Sequence, residues 1–233
     1  MKYLISLLVG MLVGVAAFLA LLYYNPLTSH NKLSPLSVTD NDLFTLNYSA
    51  VAADSLIYTN DGESRVAPYP AKVLQLWERP IRRSSIVATL LSDSRNQLVG
   101  LGIKLSSDSE STKPLNGELN MDSVWHIYLP GQGSLFIEQQ ENYWGYLRDI
   151  VIPAYWSSGD NWRGIWNGHI TSGPGALGTS KVIGGSGRFG GLVTDGVESL
   201  AAKAFSVEHG PVAMTAEVMI ELPRLGSEAS PDP

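Results

Sequence analysis

Arg163, Asn167 and His169 are the residues whose types and spacing offer the most direct chemistry. Across 161–170 an extended chain sets them on one face and Trp162, Trp166 and Ile170 on the other. If the polar face looks into an enclosed interior, the arginine can hold an anion while the amide and imidazole orient it. If it looks outward, it is an ordinary wetted face over buried tryptophans. Metal chemistry has no set of ligands to work with. His30, His126, His169 and His209 show neither His-x-x-x-His nor Glu-x-x-His spacing. The chain also has no Gly-x-Ser-x-Gly elbow for a nucleophilic serine. Glu138 with Glu141, and Glu217 with Glu221, are the carboxylates placed to work in pairs. In a strand, however, the second pair lies on one solvated face. No catalytic residue, metal site or cofactor is therefore assigned from sequence.

Gly185-Ser186-Gly187-Arg188-Phe189-Gly190 matches Gly-x-Gly-x-x-Gly letter for letter. A dinucleotide loop needs a strand before it, a helix after it and a βαβ repeat around it. The next residues, Gly191-Leu192-Val193-Thr194-Asp195-Gly196, start a helix poorly, and no βαβ alternation occurs elsewhere. The expectation is a glycine-rich turn or bulge where two backbones pass closely.

The elements that must position these residues read as strands. Met214, Ala216, Val218, Ile220 and Leu222 alternate with polar neighbours, as do Trp125, Ile127 and Leu129. Val99, Leu101, Ile103 and Leu105 alternate in the same way, which predicts a half-buried strand, and 86–91 is apolar on both faces. Turn residues separate these runs at 92–96, 129–133 and 209–211. The spacing predicts a mainly β domain, an antiparallel barrel or alternatively a sandwich, with short helices at 71–78 and 143–150.

Gly185-Ser186-Gly187-Arg188-Phe189, then a strand, then a closing strand at 212–222, resembles the C-terminal part of the allene oxide cyclase and dirigent-like barrels. The resemblance covers about the last 50 residues. It departs from that pattern after Phe189, where Thr194 and Asp195 precede the next glycine of the pattern, Gly196. It implies an eight-stranded antiparallel barrel with an interior cavity. That family's catalytic residues have no match here, so none is carried over.

From Tyr3 to Tyr24 no residue is charged. At 1.5 Å per residue such a helix spans about 33 Å, the thickness of a bilayer core. Tyr3 at one end and Tyr23-Tyr24 at the other suit the two headgroup belts, and Asn25-Pro26 stops the helix. The run is too long for the apolar core of a cleaved signal peptide. Residues 1–24 are thus expected to be a transmembrane anchor, 25–42 a linker, 43–222 one β domain and 223–233 a disordered tail. Lys2 before the helix, against Lys32, Asp40 and Asp42 after it, favours a cytoplasmic N-terminus and a periplasmic or otherwise extracytoplasmic domain at the inner membrane.

Sixteen basic and 22 acidic residues leave a formal charge of −6, and no basic stripe suggests nucleic acid as a partner. Gly10 and Gly14 form a small-residue step on which another membrane helix can pack. Tyr143, Trp144, Tyr155 and Trp156 belong to an aromatic-rich stretch suited to a partner surface. These features support two functional expectations. The first is a non-catalytic accessory subunit of a larger membrane protein complex, joined to other membrane subunits through its helix. The second is a barrel that binds or converts a small apolar ligand.

Overall fold

The computed structural model describes residues 2–23, 36, 42–51, 56–58 and 84–223. The short helix expected at 71–78, the tail beyond Pro223 and all of the expected linker except Leu36 and Asp42 lie outside the described residues. Helix α1 runs Lys2–Tyr23 and is exposed from Lys2 to Leu21. Among the described residues it is the one helix long and apolar enough to cross a membrane.

The rest of the described chain is an antiparallel sheet of eleven strands: β1 (Asp42–Ser49), β2 (Leu56–Tyr58), β3 (Ser84–Ser92), β4 (Leu98–Asp108), β5 (Asn120–Leu129), β6 (Gly133–Asn142), β7 (Asn161–His169), β8 (Thr171–Gly173), β9 (Ser180–Gly187), β10 (Thr194–Ser206) and β11 (Gly210–Leu222). Hydrogen-bonded neighbours follow the path β1-β11-β10-β9-β6-β5-β4-β3. Asn47 of β1 then pairs with Ser92 of β3, so the sheet returns on itself as a ring. Between β10 and β6, β9 covers only part of the wall. Strand β7 lies along the far half of β10, and β8 lies against the end of β6. Ile170, between them, donates its N–H to Glu198 O at 2.9 Å and accepts from Asn142 N at 2.7 Å.

Local chemistry explains the turns. Asp93 accepts the N–H groups of Arg95 and Gln97, each at 2.9 Å, and so closes the β3–β4 connection. Between β5 and β6, Gly131 and Gly133 take positive φ. The expected helix at 143–150 is found and runs further: α2 (Trp144–Tyr146), a π-helical turn (Leu147–Val151) and α3 (Ile152–Trp156).

The interior is divided lengthwise. One part is apolar, built on Leu46, Leu135, Ile137, Val182, Val218 and Ile220, with buried Phe189 against Phe44 at one end. The alternation in β11 and β5 faces inward as expected, whereas β4 departs from the facing that its pattern predicts. Leu101 and Leu105 are exposed on the outside, while Gly102, Lys104 and Ser106 face in. The outer apolar row continues across strands, Leu105 opposite both Ile86 and Val124, and Leu101 opposite Tyr128. Cross-strand neighbours of like polarity, not burial, gave β4 its pattern.

The Gly-x-Gly-x-x-Gly segment is the end of β9 and the turn beyond it, with no helix behind it. Gly187 has φ +59°, and a Cβ there would come 2.4 Å from the Gln132 carbonyl oxygen. Gly187→Val is therefore expected to cost about 2–3 kcal/mol, from a left-handed backbone plus a main-chain clash. Urea unfolding of the full chain in detergent measures it. A loss well under 1 kcal/mol would mean that these two backbones do not meet as closely as described.

Candidate functional site

At the other end of the interior the ring encloses charge. Lys104 comes from β4, Glu141 from β6 and Glu198 from β10, and all three are buried. Each sits at an inward position of its strand, so alternation fixes its direction. Lys104 Nζ lies 2.8 and 3.0 Å from the two oxygens of Glu198 and 2.7 Å from Glu141 Oε1.

The two carboxylates have different surroundings. Glu198 also accepts from the Tyr48 hydroxyl, from Trp125 Nε1 at 3.0 Å and from Gln139 Nε2, so its lone pairs are well used. Burial alone would raise its pKa. The charge and hydrogen bonds of Lys104, with those of Tyr48 and Trp125, outweigh burial and hold Glu198 below its ordinary value. At Glu141, three donors converge on Oε1: Lys104, Ser123, and Gln139 at 2.6 Å. Its Oε2 is buried and has no hydrogen-bond partner; the nearby Tyr143 hydroxyl interacts with Glu141 but closes no full hydrogen bond to this oxygen. Two carboxylates against one ammonium leave the cluster one negative charge in excess. A buried lone pair without a donor costs on the order of 1–3 kcal/mol, more when the group is charged.

Neutral donors surround the cluster. Burial, then the charge of Glu198, pushes the Tyr48 hydroxyl well above its ordinary pKa. Burial, then the charges of Glu141 and Glu198, does the same to Tyr143. Both tyrosines stay protonated at neutral pH and can donate. Burial tends to lower the Lys104 pKa, but Glu141 and Glu198 overcome it and raise it, so Lys104 stays charged. The arrangement can accept a proton at Glu141 Oε2, donate from tyrosine and stabilise an anion with lysine.

Arg163, Asn167 and His169 point to the outside of the ring. Asn167 and His169 line a groove of about 300 Å³ with Asn47 and Glu217, and Arg163 is exposed further along β7. The structure therefore brings two of the three together, on the outer surface and not in the interior. Of the four aromatics expected at a partner surface, Trp144 is 4 % exposed and Tyr143 packs against the core, so these two are interior residues. Tyr155 and Trp156 are exposed. Among the described residues, nothing outside α1 packs against Gly10 or Gly14. Glu138 is exposed and thus parted from Glu141 by the strand's alternation. Sequence reasoning missed Lys104 and Glu198 entirely. In β4 the lysine alternates with leucines, which by pattern assigns it to water.

No family model matches the chain, and no curated protein does. Among solved structures it is similar to a nonspecific heme-binding cyclase that catalyses a cycloaddition during neoabyssomicin biosynthesis. That likeness has 15% identity over 92% of this chain and 83% of the other, with a TM-score of 0.37. It is also similar to a pterocarpan synthase dirigent protein, at 12% identity over 82% of this chain and 91% of the other, with a TM-score of 0.34. Neither likeness carries a function over, so the chemistry has to be argued from this chain's own residues.

Proposed function

We propose that the chain is a membrane-tethered eight-stranded barrel whose buried cluster takes a small, largely apolar ligand carrying a hydroxyl group. Glu141 Oε2 accepts that hydroxyl and, in a conversion, its proton. Lys104 stabilises the oxyanion left behind, and Glu198, itself bound by the Tyr48 hydroxyl, holds the ammonium in place. Tyr143 donates to a second ligand oxygen. This is the dirigent- or cyclase-like reading, and it supersedes the accessory subunit as the preferred one. The observation that carries it is the buried Oε2 of Glu141, which closes no full hydrogen bond although the Tyr143 hydroxyl is near, in a cluster with excess negative charge. Ion clusters retained only for structure tend to close their hydrogen bonds, and this one leaves an acceptor open.

The tether is read from α1, whose exposed apolar surface requires a cover. Lipid provides one along its whole length. The accessory reading adds a second helix on the Gly10–Gly14 face, where two small residues one turn apart let helices approach closely in lipid.

Glu141→Gln tests the proposal. It removes the excess charge and leaves the Lys104–Glu198 pair intact, so the variant is expected to be as stable as the wild type or slightly more so. A thermal-shift panel of small phenols and terpenoid alcohols is the probe. At a hundredfold excess over its Kd, a binder adds about 2.7 kcal/mol to the wild type, and it is expected to add nothing to Glu141→Gln. Equal shifts in the two proteins, or no shift across the panel, would remove the support for this site.

A further inference from the structure

We infer that the surface formed by α3 and the outer side of β7 lies on the lipid headgroup layer, so that the domain is held against the bilayer and does not hang free from its tether. This rests on the membrane reading of α1 and goes beyond it, because a tether alone fixes no orientation. The ring of Trp156, at the end of α3, lies 6.0 Å from the ring of Tyr23, at the end of α1. If α1 spans the bilayer core, Tyr23 sits at the headgroup level and Trp156 sits there with it. Trp156 is 77 % exposed, Tyr155 60 % and Ile165 84 %, a large apolar and aromatic area for a surface facing only water.

The charges around it fit the same occupant. Arg163 precedes Ile165 on the outer side of β7. The β10 register opposes Ala204 to Arg163 and Ala202 to Trp166, so the bulged Lys203 lies opposite residues 164–165. Arg163 and Lys203 are both exposed. In a chain with a net charge of −6, two exposed cations beside an exposed isoleucine run against the average. Aromatic rings at the interface with arginine and lysine reaching anionic headgroups are the chemistry of a membrane surface.

The chain contains no cysteine, so single-cysteine probes need no background removed. Trp156→Cys, Ile165→Cys and, on the exposed outer face of β5, Tyr128→Cys would each be labelled with an environment-sensitive fluorophore. The full-length chain is then reconstituted into vesicles of phosphatidylcholine with phosphatidylglycerol. Quenching by aqueous iodide is expected to be about fivefold weaker at 156 and 165 than at 128, with the order reversed for a lipid-borne nitroxide. Replacing phosphatidylglycerol by phosphatidylcholine is expected to reduce the protection, and equal protection in the two lipids would overturn the part given to Arg163 and Lys203. Equal iodide quenching at all three sites, in a chain that resists an alkaline wash, would overturn the docking face and leave the tether standing. A chain washed off the vesicles would overturn the tether itself.

Discussion

Lys104→Met is expected to lower the stability of the domain by about 3–5 kcal/mol, because it leaves two buried carboxylates facing each other with no cation between them. For a domain of this size that is a fall in Tm of about 6–20 °C. The pH dependence should change sign as well. In the wild type, Glu198 is held below its ordinary value near 4.5. Its contribution is present above that value and lost as pH falls through the lower, folded-state pKa. Lys104 is raised above its ordinary 10.5, so its contribution is present below that value and lost as pH rises through the higher, folded-state pKa. The wild type is thus expected to have a plateau between these limits. Without the lysine, burial and the neighbouring carboxylate raise Glu198, folding takes up a proton, and the variant should grow more stable as the pH falls towards 5. Replacing all three charges together, as Lys104→Met with Glu141→Gln and Glu198→Gln, is expected to recover most of the loss. Thermal melts across pH decide the matter. A single variant with wild-type stability and an unchanged pH slope would mean that the cluster is not closed to water.

How much of the fold and site is legible in the sequence depends on whether polarity and burial agree at each position. In β11 and β5 they agree: Val218, Ile220, Trp125 and Ile127 alternate and are buried, so strands and facing are both readable. In β4 they disagree. Its leucines lie outside against Val124 and Tyr128, and its lysine lies inside against two glutamates that are 37 and 94 residues away in the chain. A one-residue change of register exchanges the faces of a strand, and alternation alone does not choose between them. Only the ring, which brings β4, β6 and β10 around one interior, places Lys104 with Glu141 and Glu198. The same logic explains 161–170. Its alternation is present in the structure, but the choice between inward and outward belongs to the pairing of β7 with β10. The turn at 185–190 is legible because it depends on local chemistry, namely glycine at positive φ and close backbone approach.

Trp125→Ala is expected to cost about 3–5 kcal/mol, on a par with the lysine variant but for a different reason. Its side chain is fully buried where the polar and apolar parts of the interior meet. The indole N–H binds Glu198, the Tyr48 ring meets its edge at 5.2 Å, and the Lys104 ammonium lies 5.4 Å from the ring centroid. The ring therefore acts as a partition, shielding the ion cluster from the aliphatic core while satisfying one of its acceptors. Trp125→Phe keeps most of the partition and loses the donor. Since Lys104 and Gln139 still serve Glu198, the expected cost is only about 1–2 kcal/mol. Space for the indole is provided on the adjacent strand β4 by Gly102, diagonal to Trp125 in the register, where a Cβ would come 2.7 Å from Trp125 Cζ3 and 3.2 Å from Leu91 Cδ2. Gly102→Leu should therefore destabilise the wild type by overpacking, yet cost less, or even stabilise, when Trp125 is alanine, because the new side chain enters the volume the indole has left. A double-mutant cycle by denaturant unfolding reads this coupling directly. Additive losses would show that Trp125 and Gly102 do not share that space, and the partition between core and cluster would have to be drawn elsewhere.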